Sequence, residues 1–196
     1  MSVLSRLNAP HFRAGGMPEI DKQTYTLKVR GLVEKEKDFT WTDVLLLPTS
    51  RIDARLTSVS GFSIRAVWEG VLWRNFLENV KIRPEASHAT FANVGGTYET
   101  TVSLKDLDHP RVLLAYGVEG EPLELEYGGP LRMIIPQLYG YKSCKWLETI
   151  TFTDRMEGGY WEDRGYSREG TIEPGITLDV NAGVRRKIKG GEVMEF

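Results

Sequence analysis

The run Gly128-Gly129-Pro130-Leu131-Arg132-Met133-Ile134-Ile135-Pro136-Gln137-Leu138-Tyr139-Gly140-Tyr141-Lys142-Ser143-Cys144-Lys145-Trp146 decides how this chain is read. Gly128, Gly129 and Pro130 are a turn signal, because glycine tolerates unusual φ values and proline presets a bend. Leu131 to Ile135 reads as a short buried strand that carries Arg132. Pro136 ends it, since proline has no N–H to give to a ladder. Gly140 permits a tight turn back, and Lys142, Ser143 and Lys145 follow, closed by Trp146. A guanidinium, two ammonium groups, a hydroxyl and free backbone N–H groups are thus brought towards one small volume. Two readings stay open on these residues alone: a solvated basic turn, or a cradle for a phosphate or other oxyanion.

The whole chain narrows the function classes. Its 196 residues suffice for one domain with a real core, and 41% hydrophobic with 27% charged residues is ordinary for a soluble globular protein. A net charge of −2, with both signs dispersed, argues against a nucleic-acid or anionic-membrane partner. The single cysteine excludes an internal disulfide framework, and Cys/His zinc spacings are absent. No run approaches the roughly 18 apolar residues of a membrane span. Residues 1–16 carry neither an apolar export core nor a twin arginine, which points to a cytoplasmic location. Twenty glycines spread along the chain suit a loop-rich β-containing fold better than a helical bundle.

Local patterns supply the elements. Tyr25, Leu27 and Val29 alternate with polar residues, as in a half-buried strand. Thr40 is placed to cap a short helix, with Asp43 at its third position, Phe39 stapled onto Val44, and Pro48 as the stop. Trp73, Phe76, Leu77 and Val80 form one apolar helical stripe. Ser103 to Asp106 is a second capped helix start, Arg111 to Tyr116 an apolar strand, and Gly117 to Pro122 a hairpin turn. Leu147 to Phe152 reads as a last core strand. Ile52, Ala54, Leu56 and Ser58 share a strand face, so Ser58 continues an inward row, as an ordinary buried serine bonded to backbone would.

Gly-Gly-Pro-Leu-Arg at 128–132, followed by Tyr-Gly-Tyr-Lys-Ser-x-Lys-Trp at 139–146, resembles the cofactor-phosphate segment of the sulfite-oxidase-type molybdopterin-binding domain family. Trp-Glu-Gly-Val at 68–71, Leu-Leu-Ala-Tyr at 113–116, Gly-Glu-Pro-Leu at 120–123 and Gly-Tyr-Trp-Glu-x-Arg-Gly-Tyr-Ser at 159–167 resemble the family as well, in the right order. The resemblance covers roughly residues 8 to 167 and is similar to bacterial, single-domain members. It implies an α+β fold of mixed curved sheets with short helices over residues 1–170, with 171–196 as a C-terminal extension. It implies a molybdenum–molybdopterin cofactor whose phosphate is held by Arg132, Lys142, Ser143 and Lys145. Asn8, His11 and Arg13 of the N-terminal arm would touch the pterin, and Tyr139 and Tyr141 would line the mouth. It further implies a small oxo-substrate, such as sulfite or a sulfoxide, and an electron-transfer protein as redox partner. Arg65 is a candidate contact for an anionic substrate.

One position departs from the family's pattern. Where the family reads Thr-Cys-Val-x-Gly-Trp-Ser, with the Cys thiolate on molybdenum, this chain has Thr57-Ser58-Val59-Ser60-Gly61-Phe62-Ser63. Ser58 therefore stands as the metal ligand and the catalytic position. A serine oxygen is hard and holds its proton tightly, whereas a thiolate is soft and easily deprotonated. Two functions follow: an oxidoreductase that uses Ser58 as an oxygen ligand, or an inactive pterin-binding or partner-binding domain of the same fold. Cys144 lies within the phosphate segment and reads as a small core thiol.

Overall fold

The structure, a computed structural model, describes residues 3–7, 9 and 16–189. Asn8, His11 and Arg13, the proposed pterin contacts of the arm, lie outside the described residues. A short helix, α1 (Val3–Arg6), precedes β1 (Thr26–Gly31), β2 (Lys37–Thr40) and α2 (Trp41–Leu45). Then come β3 (Thr49–Thr57), β4 (Ser63–Leu72), α3 (Trp73–Leu77), β5 (His88–Asn93), β6 (Glu99–Ser103) and α4 (Leu104–Leu107). The chain continues through β7 (Leu113–Val118), β8 (Glu121–Pro122), β9 (Arg132–Ile134), β10 (Leu147–Thr153), β11 (Gly175–Asp179) and β12 (Val184–Ile188).

These strands form two larger sheets and a separate hairpin. The first sheet runs β2-β1-β10-β5-β6, and the second runs β3-β4-β7-β8 with β9 also on β7. Only β1 and β10 pair in parallel, with Lys28 opposite Thr149; the other described pairs are antiparallel. Mixed sheets with a few short helices are the α+β architecture expected from the sequence. Among the described residues no helix is long and apolar enough to cross a membrane.

The local rules hold where packing agrees with them. Leu27 and Val29 are fully buried, as the alternation in β1 requires. The Thr40 hydroxyl accepts from the Asp43 N–H at 3.2 Å, and the Asp43 carboxylate accepts from the Thr40 N–H at 2.8 Å, which starts α2. Phe39 and Val44 join one core with Trp73, Phe76, Phe91 and Phe152. Each such side chain contributes on the order of 1.5–3 kcal/mol by leaving water. A second core, centred on Trp68 with Ile52, Ala54 and Ile64, lies against β3, β4 and β7.

Three expectations shift. The apolar stripe Trp73–Val80 is helical only to Leu77, and Val80 is carried by the turn beyond it. The strand expected over Leu131–Ile135 shortens to β9, because the pairing with β7 spans only Arg132 to Ile134. Ser58 is not on a strand. β3 ends at Thr57, and Ser58 opens a hairpin turn in which its N–H donates to the Phe62 carbonyl at 2.7 Å. Gly61, at φ 84°, donates back to the Ser58 carbonyl at 3.0 Å.

Residues 171–189 fold back onto the body. The Tyr139 N–H donates to the Gly170 carbonyl at 2.7 Å, and Leu138 forms a bridge with Thr171. Ile172 and Ile188 then bury against Val59 and Tyr139 in a third, small core.

Candidate functional site

Several stretches of chain meet around a cavity of about 240 Å³, five of them bringing the residues that matter here. The end of β3 and its hairpin turn bring Leu56, Ser58 and Phe62. The face of β4 brings Trp68. The deciding stretch brings Arg132, Ser143 and Lys145. The loop around Trp161 and the β11–β12 hairpin bring Tyr166, Asp179 and Asn181. The lining is largely apolar and aromatic, with few polar groups aimed inward, as ligand pockets are built.

Among the described residues three charged ones line this cavity, Arg132, Lys145 and Asp179, and Arg132 and Asp179 are the buried ones. The Arg132 side chain leaves β9 only 4% exposed. The guanidinium donates to the carbonyls of Tyr127 at 2.7 Å, Ser143 at 3.3 Å and Met133 at 3.3 Å, and it lies 5.7 Å from the Trp68 ring centre. None of these partners is a carboxylate. Burial pushes the guanidinium down to about 10, the cost of a cation removed from water. Carbonyls orient such a group without neutralising it, so the site is set up for an anion in the cavity.

Its neighbours hold this geometry. The Ser143 hydroxyl accepts from the Ile135 N–H at 3.0 Å, which fixes the segment after the Gly140 turn against β9. Lys145 is half-buried, with its ammonium 4.5 Å from the Trp146 ring centre. Gly128, at φ 103°, sits where a Cβ would come within 2.8 Å of the Lys145 side chain, so only glycine lets the two segments close.

Lys142 does something else. The sequence places its ammonium with the phosphate-holding cations, but the structure turns it away from the cavity lining and buries it completely. It donates to Glu162 at 2.6 Å and to the Thr101 carbonyl at 2.8 Å. The Thr100 hydroxyl donates to the same Glu162 oxygen. Burial lowers the Lys142 pKa below the ordinary lysine value, and the Glu162 charge opposes that shift. Lys142 therefore clamps the cradle to the loop that carries Trp161.

Ser58 stands on the cavity wall, half-buried. Its oxygen accepts from the Ser60 N–H at 3.2 Å and the Ser60 hydroxyl at 3.0 Å. Two donors on one oxygen favour negative charge there. Cys144 is buried and absent from the lining; burial pushes its thiol up to about 12. Arg65 is exposed and paired with Asp53 at 2.9 Å, outside the cavity lining. Tyr141 lines the cavity and stacks on Tyr166 at 5.1 Å, while Tyr139 stacks behind Tyr141 at 6.2 Å.

The sequence reading missed Tyr98, Glu162, Tyr166, Asp179 and Asn181. Glu162 was legible only as part of an aromatic-rich loop. Asp179 and Asn181 had a usable signal: Ile176-Thr177-Leu178-Asp179 alternates and runs into Asn181-Ala182-Gly183, a turn signal at the end of a strand.

Comparison with known proteins bears on the family and the fold. The oxidoreductase YuiH of Bacillus subtilis, itself uncharacterized, is 34% identical over 163 residues, which is 82% of each chain. The sulfite oxidase of Arabidopsis thaliana is 29% identical over 88% of this chain and 52% of its own. The crystal structure of the sulfane dehydrogenase SoxCD from Paracoccus pantotrophus superposes with a TM-score of 0.70 at 22% identity, covering 90% of this chain and 47% of that one, a likeness of fold. This chain thus spans about half the length of the plant and Paracoccus proteins. The oxidoreductase molybdopterin binding domain family matches residues 14–161. With a family model over residues 14–161 and relatives that include a sulfite oxidase, the chain belongs to the sulfite-oxidase-type family of oxidoreductase molybdopterin-binding domains.

Proposed function

We propose that the protein holds a molybdenum–molybdopterin cofactor in this cavity and exchanges an oxygen atom with a small oxo-substrate of the sulfite or sulfoxide kind. The observation that carries this reading is Arg132, a cation buried at the cavity wall whose hydrogen bonds among the described residues all go to backbone carbonyls. The phosphate of the cofactor supplies the missing negative charge. Arg132, Ser143 and Lys145 hold that phosphate, and the Lys142–Glu162 clamp keeps them in place.

The chemistry of the donor set fits the metal end less closely. Among the described residues no group of three His, Cys, Asp or Glu could hold a metal ion, and Ser58 on the cavity wall would be the protein's oxygen ligand to the cofactor's metal. The two donors from Ser60 favour the charged oxygen that a metal ligand requires. When bound, the cofactor supplies the two-electron redox change and the oxygen exchange. Phe62, Trp161 and Tyr166 line the cavity and would limit the access of water to the bound group. The serine also favours a second reading, a domain that keeps the pterin and has lost the metal.

Metal and pterin content separate the two. The protein is purified from a host that makes the cofactor, and molybdenum is measured by mass spectrometry alongside pterin fluorescence. Both near stoichiometry supports the enzyme, and oxo-substrate assays follow. Pterin alone supports the binding domain, in which case Ser58→Cys raises the molybdenum content. Neither group bound overturns both readings.

A further inference from the structure

The β11–β12 hairpin has two unlike faces. Direct pairing puts Ile176 opposite Lys187 and Leu178 opposite Arg185 on one face, with Thr177 opposite Arg186 on the other. The inner face turns to the body: Asp179 and Ile188 are buried, and Asp179 accepts from the Tyr166 hydroxyl at 3.0 Å. The outer face is open, with Ile176 73% and Leu178 53% exposed. Of the seven large hydrophobic residues exposed among those described, three lie on this hairpin. Arg185 and Lys187 are exposed too, and neither has an ion-pair partner among the described residues.

We infer that this outer face is a docking surface for a small electron-carrier protein whose contact region is apolar at its centre and acidic at its rim. The inference rests on the proposed redox function, which exchanges two electrons per turnover, and the carrier takes up or supplies them. Charge sets the occupant. Two cations with no ion-pair partner among the described residues frame two exposed aliphatic side chains, so a partner must bring carboxylates around an apolar centre. A second copy of this chain would bring the same cations and repel. An anionic membrane typically needs a cluster of about four to eight basic residues, and this face presents two. Position supports the function: Asp179, next in sequence to Leu178, lines the cavity, so the carrier would sit one layer of chain from the site.

The test is calorimetric titration with an acidic flavodoxin as the probe. The wild-type protein binds it, more weakly as salt rises. The exposed double variant Arg185→Glu/Lys187→Glu raises Kd at least about tenfold, the range expected for lost charge complementarity. Ile176→Ser/Leu178→Ser weakens binding as well, while Arg155→Glu, on another loop, does not. Melting curves confirm that each variant is folded. Absence of flavodoxin binding, or binding indifferent to the charge reversal, overturns the proposal. Binding to phosphatidylserine vesicles that the charge reversal abolishes, or dimerisation that Ile176→Ser abolishes, assigns the face to a membrane or to a second copy and also overturns it. Cofactor content is measured on the same samples. Charge-dependent docking without cofactor defeats the functional reading and spares the surface; full cofactor without docking does the reverse.

Discussion

Arg132 and Lys142 come from the same stretch of sequence and end in regions built on opposite terms. Lys142 is enclosed with Glu162, and its charge is met inside the protein. Arg132 is enclosed with backbone carbonyls and the Trp68 ring, and no carboxylate among the described residues pairs with it. In the first arrangement the two charges meet inside the fold, although one Glu162 oxygen has no hydrogen-bond partner among the described residues. In the second the hydrogen bonds are made but the charge is not met, which is the basis for proposing an anion there. A buried pair holds a structure together, whereas a buried single charge at a cavity wall reports what the cavity is for.

The comparison breaks if removing either cation has the same consequence. Lys142→Met leaves Glu162 buried without its counter-charge and should cost about 3–5 kcal/mol in urea unfolding, the largest effect expected here. Lys142→Met/Glu162→Leu should recover most of that loss, because an apolar pair of similar volume avoids the desolvation. A loss below about 1 kcal/mol in the single variant would mean the pair is solvated after all.

Arg132→Met should act on binding instead. Losing charge-assisted hydrogen bonds worth about 1.5–3 kcal/mol lowers cofactor affinity by roughly ten- to a hundredfold, read as pterin content. The stability of the empty protein should fall far less than in Lys142→Met, since an uncompensated charge leaves with the side chain. Unchanged pterin content would remove Arg132 from the cradle.

The smallest effect sharpens the contrast with a neutral neighbour. Cys144 sits between two cradle residues, yet its thiol, raised from 9.0 to about 12 by burial, stays protonated. Its contribution to stability is whole below about pH 9 and is lost as pH climbs towards 12, because the unfolded chain releases the proton first. Iodoacetamide at pH 8 should leave it unmodified in the folded protein and label it promptly in urea. Rapid labelling of the native protein would show that the cradle opens.

Much of this was legible in the chain and some was not, for physical reasons. The Thr40–Asp43 cap and the alternation in β1 depend on neighbours in sequence, so pattern alone located them. The turns around the cradle were readable because glycine and proline state backbone geometry directly. The direction of Lys142 was not readable. It depends on Glu162 and Thr101 approaching from distant parts of the chain, and the same Lys-Ser-Cys-Lys run would look identical with its ammonium in the cavity. Ser58 was misplaced on a strand for a related reason: the strand ends where the hairpin closes, and period-two counting does not see the closure.

The parallel pairing of β1 with β10 has a consequence for how the protein is made. Lys28 meets Thr149 only when nearly the whole domain is available, and β10 lies between β1 and β5 in its sheet. On a ribosome, the first strand must therefore wait, paired only with β2, while the residues of the cradle emerge ahead of its true neighbour. Such long-range closure slows folding and keeps an edge exposed meanwhile. The cavity is thus assembled late in synthesis, at the stage when the central strand of the first sheet arrives.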